Sequence, residues 1–385
     1  MKPHIRKLSL LLLCGLTLCT CKHKPEIREE EAYLGFVRQI VEAAYAERPD
    51  PEVFNQAFDN EAFADRILAQ GDLSEADREK TLSFLADYFK PGQRMLARVE
   101  AGADYQLIRF FMRQDTAHVL FRIYNETITF EDWMLLSRNG QIRIIDISDP
   151  VSGMFWSDEW NMNACAYLNV SSDHFLINEK LIAINQWIGQ KEFGKADSLF
   201  TWVEQATASN VYAQALRMNL ISQSQSYDSL RRFCGQFLQR FPERQATVAF
   251  FSLQRAIADG DMEKVRLHCG ELGETLGYDP IFYLYLAWGY KASGDLNASL
   301  AMLDSLIGQM PLQYDFYNYQ LDLYYDMKDT KGFIRQMDRI DSLFSASEED
   351  IPFYRHTYPA MLSTPEFKDW EKRHQEKLNR EKTSL

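Results

Sequence analysis

The stretch Pro280–Pro311, PIFYLYLAWGYKASGDLNASLAMLDSLIGQMP, decides how the second half of this chain folds. Tyr283, Leu286 and Tyr290 recur at i, i+3 and i+7, which places them on one face of a helix. Ser293-Gly294-Asp295 then breaks that helix with turn chemistry, and Leu296, Leu303 and Leu306 begin a second apolar stripe. Ser299 stands where only a small side chain lets two helices pack closely, and Pro311 ends the second helix. The unit is a helical hairpin, and one hairpin cannot bury its apolar face alone.

Neighbouring stretches supply the missing surfaces at a near-constant period. Ala246–Gly277 carries Ala249, Leu253 and Ala256 before Gly260-Asp261-Met262, then Val265, Cys269 and Leu272. Val211–Pro242 carries Met218 and Ile221, then Tyr227, Leu230, Cys234 and Phe237. Ile177–Ala208 fits with Ile184, Trp187, Phe193, Ala196, Phe200 and Val203, and the chain from Tyr314 fits with Tyr317, Leu321, Tyr324, Phe333, Met337 and Ile340. The Val211 and Tyr314 units lack the turn glycine. This pattern resembles the tetratricopeptide repeat over Ile177–Ser345, five units in residues 177–345.

The resemblance implies a superhelix whose first helices line a concave groove through positions two, five, nine and twelve of each unit. Those positions hold Asn178, Asn185 and Ile188; Tyr212 and Asn219; Phe250 and Gln254; Ile281, Leu284, Trp288 and Lys291; and Asp315, Asn318, Asp322 and Tyr325. The expected partner groove is Asn185, Asn219, Gln254, Trp288, Lys291, Asn318, Asp322 and Tyr325, a mixture of amides and aromatics suited to an extended peptide. Leu284 and Phe250 read instead as core. Relatives that clamp a terminal carboxylate use a lysine where this chain has Leu181, so carboxylate clamping by the groove is not expected.

At the amino terminus, Lys2, Arg6 and Lys7 precede an uncharged run from Leu8 to Thr20, the layout of a secretory leader and too short to span a bilayer. It ends in Cys21, with Leu18 three before and Thr20 just before, which resembles the lipobox of bacterial lipoproteins. The resemblance implies a leader of residues 1–20, lipidation of Cys21, and placement in the cell envelope, at the outer membrane, by acyl chains alone. Residues 21–30 then read as a polar tether. The formal charge of -13 grows more negative once the leader is lost, which excludes nucleic acid as an expected partner. The remaining Cys165, Cys234 and Cys269 are odd in number; the last two share a second-helix position, so buried thiols are expected. No spacing points to a metal or a cofactor.

Residues 31–161 have a different period. Helical patterns at Leu34–Tyr45, Phe54–Ile67 and Leu82–Phe89 give way to alternating strands at Tyr105–Arg113, His118–Tyr124, Thr127–Leu136 and Gln141–Ile147. Asn139-Gly140 is the strongest hairpin signal, and Pro91-Gly92 reads as a helix stop. The fold class expected is therefore an α+β module, helices plus antiparallel meander, followed by an all-α superhelix. The ending FEDWMLLSRNGQIRIIDISD resembles nuclear transport factor 2-like and cystatin-like cones. That likeness implies a pocket inside the cone, with His118, Asp132, Trp133 and Asp146 as candidates, each more simply read as structural.

Between the modules, residues 162–176 and the aromatics Phe155, Trp156, Trp160 and Tyr167 read as a packed connector, and residues 346–385 as a capping helix and tail. No catalytic signature is present. The expected function is a non-catalytic scaffold that binds a protein partner in the groove. Two alternatives stay open: a small-ligand or catalytic cone supported by the repeats, and a surface glycan-binding lipoprotein.

Overall fold

A computed structural model describes residues 27–384 apart from 126, 169–171, 205, 206, 209, 345, 346 and 348. Cys21 and the leader lie outside the described residues. Helices α1 (Ile27–Ala44), α2 (Pro51–Ala57), α3 (Asn60–Leu68), α4 (Arg78–Tyr88) and α5 (Pro91–Glu100) precede the sheet. Strands β1 (Asp104–Arg113), β2 (Thr116–Asn125), β3 (Thr127–Arg138), β4 (Gln141–Asp149) and β5 (Met154–Phe155) form an antiparallel meander in chain order. Asn139 and Gly140 join β3 to β4 with φ of 52° and 75°, the paired left-handed geometry of a tight hairpin.

Two local expectations change. Phe54–Ile67 is not one helix: the backbone of Phe58 bridges to Ile144 of β4, and Asp59 then caps α3 by accepting from Ala62 N at 3.0 Å. Pro91-Gly92 starts a helix rather than stopping one. At the first helical position the missing N–H of proline costs nothing, and Gly92 allows α5 to cross α2 so closely that a Cβ would meet Pro51 O at 1.9 Å.

After α6 (Trp156–Tyr167), five helical hairpins follow: α7 (Ser172–Gly189) with α8 (Phe193–Val203), α9 (Val211–Ser224) with α10 (Tyr227–Arg240), α11 (Gln245–Ala258) with α12 (Met262–Leu276), α13 (Phe282–Ala292) with α14 (Leu296–Gln309), and α15 (Tyr314–Asp326) with α16 (Thr330–Leu343). Helices α17 (Asp350–Thr357) and α18 (Pro365–Ser384) close the array. Gly260 and Gly294 adopt φ of 65° and 87° at their turns. In the Tyr314 unit Lys328 takes the left-handed role at 57°, and Lys191 does so at 60° in the first unit, each at a cost of about 1 kcal/mol. The Val211 unit avoids the problem with an extended Gln225 and Ser226 as cap of α10. Ser299 is buried and donates to Ala287 O at 2.8 Å, consistent with its reading as the close-packing position. Cys165, Cys234 and Cys269 are free and buried, and burial pushes their thiols up to about 12, 11 and 12.

The sheet is covered on both faces. Ala117, Val119, Phe121 and Ile123 of β2 pack with Tyr33, Phe54, Phe63 and Phe84 of the amino-terminal helices. The alternate residues point the other way: Leu120 and Tyr124 join Leu276, Ile281, Phe316 and the rest of the superhelix core. Tyr124 meets Phe316 edge-on at 5.5 Å and its hydroxyl donates to Asp315 at 2.5 Å. Arg122, between them, is buried and donates to both oxygens of Asp279 at 2.5 and 2.6 Å; Asp279 also accepts from Ile281 N at the start of α13. Arg109 of β1 donates to the carbonyls of Glu274 and Thr275, which end α12 without helical partners. Module and superhelix are thus held by a shared core and a buried ion pair.

Removing one partner of that pair strands a charge in a dry interface, so Arg122→Ala or Asp279→Ala should lower unfolding free energy by about 3–5 kcal/mol. Arg122→Met combined with Asp279→Leu should cost clearly less than either single change, as read by denaturant unfolding. At the other end, His374 of α18 lies 2.8 Å from Asp341 and 3.3 Å from Asp350. Burial disfavours the charged imidazole, but the two carboxylates outweigh it and push its pKa up to about 9. Because this exceeds the unfolded value of about 6.5, the stabilisation is complete below that pH and is lost as pH rises toward 9. Unfolding free energy should fall by about 2–3 kcal/mol between about pH 6 and 8.5, and His374→Gln should flatten that slope.

Candidate functional site

Because the β2–β3 hairpin packs against the first helices α11, α13 and α15, the expected groove is divided. One remaining cleft, of about 340 Å³, lies between the β2–β3 hairpin and the first helices α11, α13 and α15. Tyr124 and Ile128 form its sheet wall; Phe250, Gln254 and Ile257 of α11, Tyr285 and Trp288 of α13, and Tyr319 of α15 form the other. The aromatic rings run across the helices in edge-on contacts: Phe250 to Tyr285 at 6.2 Å, Tyr285 to Trp288 at 5.5 Å, and Trp288 to Tyr319 at 6.0 Å. Gln254 is the amide among them. Burial, with Asp315 and Asp322 nearby, raises the pKa of Tyr319.

The eight expected groove residues do not share one surface. Gln254 and Trp288 line this cleft. Lys291 is not among its lining residues and lies 3.0 Å from Asp326. Asp322 accepts from Tyr358 at 2.8 Å, Tyr325 packs on the same ring at 5.3 Å, and Asn318 Oδ1 is buried without a hydrogen-bond partner among the described residues. The carboxy-terminal cap therefore covers Asp322 and Tyr325, because Tyr358 follows α17 and folds back onto α15. Asn185 is exposed on α7, and Asn219 is half-buried on α9 accepting from Gln223 at 2.8 Å. Leu284 is buried core, as its apolar position implied, and together with the half-buried Phe250 it also lines the cleft.

The cone candidates separate by face. Trp133 stacks on Phe54 at 4.8 Å and fills the helix side, where a cone pocket was expected. Asp146 is fully buried and accepts from Arg66 Nε at 2.6 Å, Ser157 Oγ at 2.6 Å, Ser157 N at 3.2 Å and Ile147 N at 2.9 Å, a structural anchor between α3, β4 and α6. His118 and Asp132 face the superhelix instead. His118 Nδ1 lies 2.8 Å from Asp132 Oδ2, and its ring stacks on Phe111 at 4.8 Å.

These two line a second cleft, of about 280 Å³, between the sheet and α11–α12. Its other charged groups are Arg66, Arg113, Glu243 and Arg244, and Phe155, Leu120, Met134 and Leu276 supply apolar wall. Arg66 and Arg244 both stand over the Phe155 ring, at 5.1 and 4.1 Å. Neither Arg66 nor Arg244 was singled out in the sequence. The usable signal was β2 itself: in AHVLFRIY one alternating face is wholly apolar and the other still carries Leu120 and Tyr124 beside His118 and Arg122, more apolar surface than a solvent-facing side needs. Among the described residues no His/Cys/Asp/Glu group has metal-site geometry, and no described helix is long and apolar enough to cross a membrane.

Compared with protein-family models, curated proteins and solved structures, the chain matches none.

Asp132 orients the His118 ring, so Asp132→Ala leaves a buried imidazole nitrogen unpaired and should cost about 1–3 kcal/mol. Asp132→Asn keeps an acceptor and should cost less; thermal unfolding of the two variants measures the difference.

Proposed function

We propose that the chain is a lipid-anchored protein of the bacterial envelope, of the tetratricopeptide type and without catalytic activity, that holds a protein partner in the Trp288 cleft. The leader ending at Cys21 and the hairpin spacing of Ile177–Ser345 support the anchor and the class. The observation that carries the binding reading is the cleft itself. Phe250, Trp288, Tyr319 and Tyr124 offer aromatic surface around the amide of Gln254, an arrangement that anchors one apolar side chain and bonds a peptide backbone beside it. The occupant is thus an extended segment of a second protein with an apolar anchor residue.

A photo-crosslinking residue at Trp288 or Tyr319, in the chain expressed in its own envelope, should give one discrete adduct that Gln254→Lys weakens. The same probe at the exposed Trp202 of α8 should give none. Adducts of equal yield at all three positions, or none at Trp288 and Tyr319, would contradict the reading. Cys21→Ser should move the chain from the membrane to the soluble fraction; persistence in the membrane fraction would rule out the lipid anchor.

A further inference from the structure

The cleft between the sheet and α11–α12 has a feature that neither fold stability nor partner binding uses. Arg244 is buried and lines the cleft, yet its Nε has no hydrogen-bond partner among the described residues. Glu243 Oε1 lies 3.4 Å from that nitrogen, outside hydrogen-bond geometry, and Glu243 itself is largely exposed. Across the same cleft Asp132 Oδ1 is also buried and unpartnered, although Asp132 Oδ2 holds His118. Two residues that line one cleft, Arg244 and Asp132, thus each carry a buried polar atom with open hydrogen-bonding capacity. An unpaired buried group of this kind is costly, so a ligand that satisfies both gains twice.

The cations at the cleft, Arg66, Arg113 and Arg244, are already matched by acids: Arg66 is paired with Asp146, Arg244 lies near Asp158 and beside Glu243, and Asp132 lines the same space. A dianion such as phosphate would add charge with no surplus cation to meet it, whereas a zwitterion adds none. A guanidinium fits a carboxylate as a planar fork, and a carboxylate oxygen fits an ammonium. Phe155, Met134 and Leu276 leave apolar wall for a side chain between them.

We propose that this cleft binds a free apolar α-amino acid, with the ligand carboxylate on Arg244, its ammonium on Asp132 and its side chain against Phe155 and Leu276. The site lies between the sheet and α11–α12, separate from the Trp288 cleft, and stands or falls independently of the partner reading. His118 holds Asp132 in place and acts as a positioning residue.

Titration calorimetry on the chain lacking its leader tests this, with L-leucine, L-methionine and L-phenylalanine as probes at up to about 10 mM. At least one should bind with a stoichiometry of one per chain. For that amino acid, the analogue lacking the amine and the analogue lacking the carboxylate should each bind at least tenfold more weakly. Arg244→Gln should weaken binding at least tenfold, and Glu243→Gln, which removes the competing carboxylate, should tighten it severalfold. Should Arg244→Gln fail to fold, Met134→Trp fills the cleft without touching its charges and should abolish binding. No binding by any of the three, equal binding of the decarboxylated analogue, unchanged affinity in both cleft variants, or displacement of the amino acid by equimolar inorganic phosphate would each overturn the proposal.

Discussion

Strand β2 is the element on which the rest of the molecule depends, because neither of its faces meets water. On one side Val119 and Phe121 close the core under α1–α5; on the other Leu120 and Tyr124 enter the core of the superhelix. Arg122 sits between those last two and would be prohibitively costly there alone. Asp279 neutralises it, and Asp279 is fixed in turn by the backbone at the start of α13. A sheet and a repeat array that could have been two independent modules are thereby one body.

That arrangement changes what the concave face can do. The first-helix surface, expected from the sequence to be a partner groove, is here partly covered by the chain's own β2–β3 hairpin. Two of the clefts left between the sheet and the helices differ in chemistry: the Trp288 cleft is aromatic, and the Arg244 cleft is lined by ions that nearly balance. Each is bounded by both modules, so each exists only because the modules are docked. Binding in either cleft therefore stabilises the docked state as well as the ligand.

The helical hairpins were legible because each obeys a local rule: apolar spacing of 3.6 residues, a turn, and a small residue such as Ser299 where the helices cross. The strands were legible for the same reason, down to the Asn139-Gly140 turn. The docking was not, since Arg122 and Asp279 are far apart in the chain and nothing local to either marks the other. Pro91 misled because proline both ends and begins helices, and only the crossing with α2 decides which. Among the groove residues, Gln254 and Trp288 reached a cleft, while Asp322 and Tyr325 met the cap because Tyr358 folds back over them. Arg244 carried no motif at all; its significance comes from burial without a hydrogen-bond partner, which has no sequence signature.

Hydrogen exchange followed by mass spectrometry tests the docked body most directly. If β2 and α13 share one core, peptides spanning 117–124 and 282–292 open with the same free energy, close to that of global unfolding, and respond equally to denaturant. Exchange of 117–124 at a markedly lower free energy while 282–292 stays protected would show that the sheet leaves the superhelix without unfolding it, and would contradict the account.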